Sequence, residues 1–236
     1  MQKNPRQEWK VYKNVFDQFT LQVLEKLRGQ GHYDELKSPI ALGKEANIFS
    51  AVKGSRESER KVIVKIYRLE NCNFNKMYSY LAPDPRFHDL KKKRRLIIFT
   101  WAQREYRNLL KARDVIRVPM PIAVRDNVII MEHIGRDEAA PKLKDALPSN
   151  PKKFYDKTIA NMKALHKAGL VHADLSDFNI LNYEDEPVFI DFSQGTTTEH
   201  PHADEYLERD LRNVCRYFKR LGLKIDEKKE LKKITK

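Results

Sequence analysis

Two short segments constrain this chain more than anything else in it: LVHADLSDFNILN over residues 170–182 and VFIDFSQ over 188–194. Asp174 and Asn179 stand five residues apart in a polar loop, between the apolar pairs Leu170–Val171 and Ile180–Leu181. Such flanks anchor both ends of a loop in a core and leave its polar side chains facing a cleft. Asp191 follows the apolar run 188–190, where a strand end projects a carboxylate toward the same cleft. A lone loop Asp is most often a capping carboxylate. Two carboxylates and an amide brought together in this way match what phosphoryl transfer asks of a protein. One carboxylate orients or deprotonates an attacking hydroxyl, and the other oxygen donors hold a divalent cation on the phosphates.

The rest of the chain sets these segments in an α+β framework. The 236 residues suit one compact domain or two lobes sharing a cleft. Residues 14–28 have helical spacing, closed by Gly29 and Gly31. Residues 40–52 alternate loosely around Gly43, and Lys61–Tyr67 is rich in β-branched residues, with a hairpin turn at 53–60. Residues 71–96 show little period, contain Pro83 and Pro85 and end in the basic run 91–95, which predicts a long mobile loop. A helix is expected over 101–112, two short strands over 123–131, a second helix over 151–168 with Gly169 at C′, and a last helix over about 203–221. A strand-rich first half and a helical second half predict two lobes that meet at 132–135. The expected boundaries are a helical extension over 1–36, a first lobe over 37–131 and a second lobe over 132–236.

Lys65 lies mid-strand between Val64 and Ile66, so a buried ammonium there needs a partner, which Glu105 on the 101–112 helix can supply. Gly43 permits close backbone approach by the turn Gly43, Lys44, Glu45, Ala46 and Asn47, although a single glycine is a weak phosphate-loop signal. The formal net charge is +13, concentrated at 91–95 and 228–236. Such runs are either solvated faces and loose tails or a footprint for phosphate-rich partners. No apolar run approaches bilayer length, and Cys72 and Cys215 are too far apart in sequence to form a metal knuckle, so a reduced, cytoplasmic setting is expected.

The order His172, Asp174, Asn179, Asp191 resembles the catalytic loop and metal motif of protein kinases. Here Ala173 replaces the Arg of His-Arg-Asp, and Ser193 replaces the Gly of Asp-Phe-Gly. With the GKEAN turn at 43–47, these departures resemble the RIO family of atypical serine/threonine kinases, closest to its first subfamily. The resemblance runs from about residue 40 to 221. It implies a two-lobed protein-kinase-like fold, with an antiparallel sheet and a helix in the first lobe. It makes Asp174 the catalytic base and Asn179 and Asp191 the ligands of Mg²⁺, with Mn²⁺ as an alternative. It also implies a Lys65–Glu105 grip on the ATP phosphates, adenine held by the Glu132 carbonyl and the Ile134 amide, a packed structural His172, and Asp210 bracing the loop from behind.

Only about ten residues separate Asp191 from the last helix, with no Ala-Pro-Glu, so the second lobe is expected to lack an activation segment and peptide-docking helices. The resemblance further implies an aspartyl-phosphate intermediate on Asp191 and an ATP-driven switch in small-ribosomal-subunit maturation, with pre-ribosomal particles or rRNA as partners. A KEOPS-type small kinase would carry Gly before its catalytic Asp and an Asp-Phe-Gly triplet, which Ala173 and Ser193 contradict. A non-catalytic RNA-binding scaffold would have lost Lys65, Asp174 or Asp191, and all three are present. A small-molecule phosphotransferase normally adds a larger acidic substrate lobe.

Overall fold

The computed structural model describes residues 16–54, 59–70, 72–87 and 91–236. A helix α1 (Gln18–Gly29) opens the described chain, its first turn closed by the Asp17 carboxylate, which accepts from Thr20 N at 2.9 Å. The expected residues 1–15 of the helical extension lie outside the described residues. Strands β1 (Glu35–Leu42), β2 (Ala46–Lys53), β3 (Arg60–Tyr67), β4 (Pro121–Arg125) and β5 (Val128–Glu132) form one antiparallel sheet, in the order β1-β2-β3-β5-β4.

The period of two in β3 divides its residues between two jobs. Val62, Val64 and Ile66 pack under α1 with Leu24, Leu27, Phe49 and Ile130. Ile63, Lys65 and Tyr67 face the other way, toward the interior of the molecule, with Ile129 opposite Lys65 across the ladder.

Between β3 and β4 come α2 (Phe74–Leu81), a 3-10 turn at Pro85–Phe87 and the long helix α3 (Arg94–Ala112). The expected loop over 71–96 is therefore corrected. Two turns are too short to show a period, but Met77 and Leu81 bury one face, and Asn73 caps the helix by accepting from Lys76 N at 3.0 Å. The prolines follow the helix rather than interrupt it. Helix α3 begins seven residues before Trp101, because Ile97, Ile98, Trp101 and Ala102 form a buried stripe that the adjacent basic run obscured.

The second lobe holds α4 (Pro151–Lys167), the short ladders β6 (Leu170–Val171) with β9 (Thr196–Thr197) and β7 (Ile180–Tyr183) with β8 (Glu186–Phe189), a 3-10 turn at Phe192–Gln194, and α5 (Ala203–Arg220). Gly169 takes the left-handed φ of +72° expected just past α4. The basic end of the chain is a final helix, α6 (Glu227–Thr235), rather than a loose tail. Asp226 caps it, Ile234 is buried, and the helix packs on α4 and α5. One apolar core runs from Met77, Ile98 and Trp101 through Phe154 and Leu165 to Leu211 and Phe218, joining both lobes behind the cleft. No described helix is long and apolar enough to cross a membrane.

The link after β5 is shaped by Gly135, at φ +144°. A Cβ there would lie 2.0 Å from the Glu138 carbonyl oxygen, which is backbone and cannot step aside. Gly135→Ala is thus expected to lower unfolding free energy by about 2 kcal/mol or more. Urea denaturation reads this directly, and a loss below about 0.5 kcal/mol would contradict the geometry.

Candidate active site

Lys65 is 5% exposed, and its ammonium donates to Glu105 Oε1 at 2.7 Å and to Asp191 Oδ1 at 2.9 Å. Tyr67, two residues on and on the same face, donates its hydroxyl to the other Glu105 oxygen. Burial pulls the Lys65 pKa down, but the two carboxylates outweigh it and hold the amine firmly protonated. Helix α3 delivers Glu105, β3 delivers Lys65, and the end of β8 delivers Asp191. Three distant segments therefore meet at one charged centre.

Asp191 has the left-handed φ of +62°, an uncommon conformation for a residue with a side chain, held here between β8 and the following 3-10 turn. Its side chain remains 37% exposed. Burial raises its pKa, but Lys65 more than compensates and brings it to about 2, so the carboxylate is charged.

The loop carrying Asp174 is held by its neighbours. Asp210 on α5 accepts from Ala173 N at 2.7 Å and Leu175 N at 2.9 Å, the two amides that flank Asp174. Arg209 donates to the Ala173 carbonyl, and Asn213 donates to the Leu175 carbonyl at 3.2 Å. Ala173 is left-handed, with φ +63°, which turns the chain so that Asp174 is presented separately from its neighbours. Asn179 donates through Nδ2 to the Asp174 carbonyl at 2.8 Å and to the Asp174 carboxylate at 3.2 Å. Its Oδ1 is left as the acceptor end. Burial raises the Asp174 pKa to about 6, with Asp191 adding to the rise and Arg209, Lys76 and Asn179 opposing it. This value suits a group that accepts a proton near neutral pH.

His172 is packed at 4.5 Å from the Phe192 ring, and its Nε2 meets the Ile190 carbonyl at 3.0 Å, which ties the Asp174 loop to the strand before Asp191. Since a carbonyl only accepts, Nε2 carries the proton and the buried Nδ1 is bare. Burial lowers the His172 pKa to about 4. An unfolded histidine protonates near 6.5, so the unfolded chain binds more protons between pH 6.5 and 4. The contribution to stability is complete above about pH 6.5 and is lost as the pH falls toward 4, by about 3 kcal/mol. Urea titrations across this window are expected to show that loss in the wild type and a shallower one in His172→Gln.

In the turn after β1, Gly43 N donates to the Ala46 carbonyl at 3.0 Å, and a Cβ on Gly43 would meet that same oxygen at 2.8 Å. Lys44 is exposed, and Glu45 and Ala46 are half-buried. The Asn47 side chain lies with Phe16, Asp17 and Thr20 on the α1 side of the sheet. The strand's period of two directs Ala46 and Ile48 to the opposite face, leaving Asn47 only a backbone role at the cleft. At the link between lobes, Arg117 and Met120 N engage the Glu132 carboxylate, and Ile134 packs with Leu181 and Val188. Both side chains are occupied, which leaves the Glu132 and Ile134 backbone as the groups to consider for a purine.

A buried polar knot that the sequence analysis missed holds this centre. Arg104, fully buried and next to Glu105, donates to the carbonyls of Gly195 at 2.9 Å, Gln194 at 2.9 Å and Tyr80 at 3.2 Å. Asn108, one turn further along α3, donates to Phe192 O at 2.9 Å and Gly195 O at 2.7 Å. Asp84 receives Arg86 through two nitrogens and Thr196 Oγ1 at 3.2 Å. Helix α3 is thereby fastened to the backbone that follows Asp191. The one signal in the sequence was Arg104 and Asn108 at helical spacing around Glu105.

For a divalent cation, Asp191 and Asn179 Oδ1 offer the hard oxygen donors that Mg²⁺ takes. Among the described residues no cluster of three His, Cys, Asp or Glu side chains would hold a metal by itself. That fits an ion held by one or two protein oxygens and completed by phosphates and water.

The fold and this centre define a protein-kinase-like protein: a five-stranded sheet and helix contribute Lys65 and Glu105 above a helical lobe bearing Asp174, Asn179 and Asp191. The RIO domain profile matches residues 47–231. The RIO-type serine/threonine-protein kinase Rio1 of Haloferax volcanii is 41% identical over 93% of this chain and 75% of its own length. The Methanocaldococcus jannaschii protein of the same name is 41% identical over 97% of this chain and 78% of its own. Human serine/threonine-protein kinase RIO1 is 35% identical over 92% of this chain, which spans 39% of that relative. The chain belongs to the RIO family.

Proposed function

We propose that this protein transfers the terminal phosphoryl group of ATP to serine or threonine, with Asp174 as base. The observation that carries the reading is the bridged ion pair of Lys65 with both Glu105 and Asp191, facing the Asp174–Asn179 pair. Lys65, held charged, is placed to bind phosphate oxygens. Asp174 accepts the proton of an acceptor hydroxyl. Asn179 Oδ1 and Asp191 are the residues that would hold Mg²⁺, or Mn²⁺, which supplies charge neutralisation on the phosphates when bound. Gly43 to Ala46 approach the phosphates through their backbone, and the Glu132 carbonyl with the Ile134 amide receives adenine.

A second reading has Asp191 take the phosphoryl group itself, so that ATP hydrolysis drives a switch. Its support is the partly exposed, ionised Asp191 carboxylate, with one oxygen bonded to Lys65. Maturation of the small ribosomal subunit in the cytoplasm is the setting the family resemblance suggests, and the excess positive charge suits rRNA.

Single-turnover incubation with γ-labelled ATP and Mg²⁺ tests these readings. Acid-stable label on serine that disappears in Asp174→Ala supports the kinase. Hydroxylamine-labile label that depends on Asp191 supports the switch. Bound ATP with neither label nor released phosphate would sink both and favour a basic binding scaffold.

A further inference from the structure

Phosphoryl transfer builds charge on the oxygens of the group in flight, and a cation aimed at that position is worth far more there than in water. The loop from Asp174 to Asn179 contains no Lys or Arg, so its own residues supply no such cation. Most neighbouring cations are already engaged. Lys65 is bound by Glu105 and Asp191. Arg209 bonds the Ala173 carbonyl and lies over the Tyr206 ring at 5.0 Å. Lys144 pairs with Asp145 at 3.0 Å and lies over Phe178.

Lys76 on α2 is different. It is exposed, and its ammonium has no hydrogen bond or ion pair among the described residues. Its position follows from the packing of its own helix. Tyr80 sits one turn further along the same face, with its ring 5.6 Å from Tyr206 and 6.1 Å from Trp101, and its carbonyl accepts from the buried Arg104. Tyr206 carries Arg209, which in turn bonds the residue next to Asp174. Helix α2 therefore lies along the side of the catalytic loop, with Lys76 one turn before Tyr80 on the same face.

We infer that Lys76 is a catalytic cation, supplied by the helix between β3 and α3, that pairs with the transferred phosphoryl group of ATP beside Asp174. The inference rests on the phosphotransferase reading above. It also gives α2 a task that accounts for its anchoring through Tyr80 to the Arg104 knot.

The test compares wild type, Lys76→Met and Lys76→Arg, with calorimetric titration of a non-hydrolysable ATP analogue and of ADP in Mg²⁺, followed by single-turnover transfer. Lys76→Met is expected to bind the analogue about tenfold more weakly, to bind ADP as before and to transfer phosphate about 100-fold more slowly. Lys76→Arg recovers part of both losses, and all three proteins keep one melting temperature because the side chain is exposed. A competent wild type whose Lys76→Met variant keeps its analogue-to-ADP ratio and transfers within twofold overturns this assignment alone. Equal weakening for both nucleotides also overturns it. A wild type that neither binds the analogue nor transfers phosphate overturns the phosphotransferase reading and this assignment with it.

Discussion

Replacing Asp174 by Asn is expected to reduce phosphoryl transfer by about 10³-fold while nucleotide binding persists. The substitution keeps the size of the side chain and leaves a carbonyl oxygen able to accept from Asn179 Nδ2, now 3.2 Å from the carboxylate. The braces from Asp210 act on the Ala173 and Leu175 amides, so they do not depend on the Asp174 side chain. What disappears is the proton acceptor, whose pKa burial has lifted to about 6. Single-turnover rates and calorimetric ATP affinity separate the two effects. Transfer above about a tenth of the wild-type rate would remove Asp174 from the role of base.

The largest expected effect on stability lies at Arg104. Arg104→Leu is expected to destabilise the fold by about 3–5 kcal/mol, the range for breaking a buried charged network by removing one partner. The side chain has no exposure, and three carbonyls accept hydrogen bonds from it, two of them, Gln194 and Tyr80, with no other side-chain donor among the described residues. Burial brings its pKa down to about 10, with Asp84 opposing the fall, so it remains charged at neutral pH. Arg104→Lys keeps the charge without the planar fork and is expected to lose an intermediate amount. Urea denaturation measures both variants, and a loss below about 1 kcal/mol in Arg104→Leu would show that the knot is not what fastens α3 to the Asp191 segment.

The grouping of the centre's residues was legible because it is written locally. Asp174, Asn179 and Asp191 sit in one stretch with apolar runs on either side, and the geometry brings them together with Lys65 and Glu105. Lys65 was legible for a related reason: an ammonium in a β-branched strand must find a carboxylate, and Glu105 was well placed on a strong helix. The supports were hidden because they join residues remote in sequence. Arg104 meets Gly195 across 91 positions and Asp84 meets Thr196 across 112, through side chains whose types give no hint of the pairing. Helix α2 was hidden by its length, since two turns between Asn73 and Pro83 leave no period to detect. Helix α6 was hidden by its composition: its two apolar residues, the buried Ile234 and the half-buried Leu231, stand among seven polar and charged ones.

The proposed function has Asp191 and Asn179 hold a divalent cation on ATP phosphates beside Asp174. The most direct measurement is anomalous diffraction from crystals grown with Mn²⁺ and a non-hydrolysable ATP analogue. A manganese peak in contact with an Asp191 carboxylate oxygen and with Asn179 Oδ1, with the terminal phosphate facing Asp174, is the predicted result. Nucleotide bound elsewhere, or manganese with neither side chain among its ligands, would contradict the account.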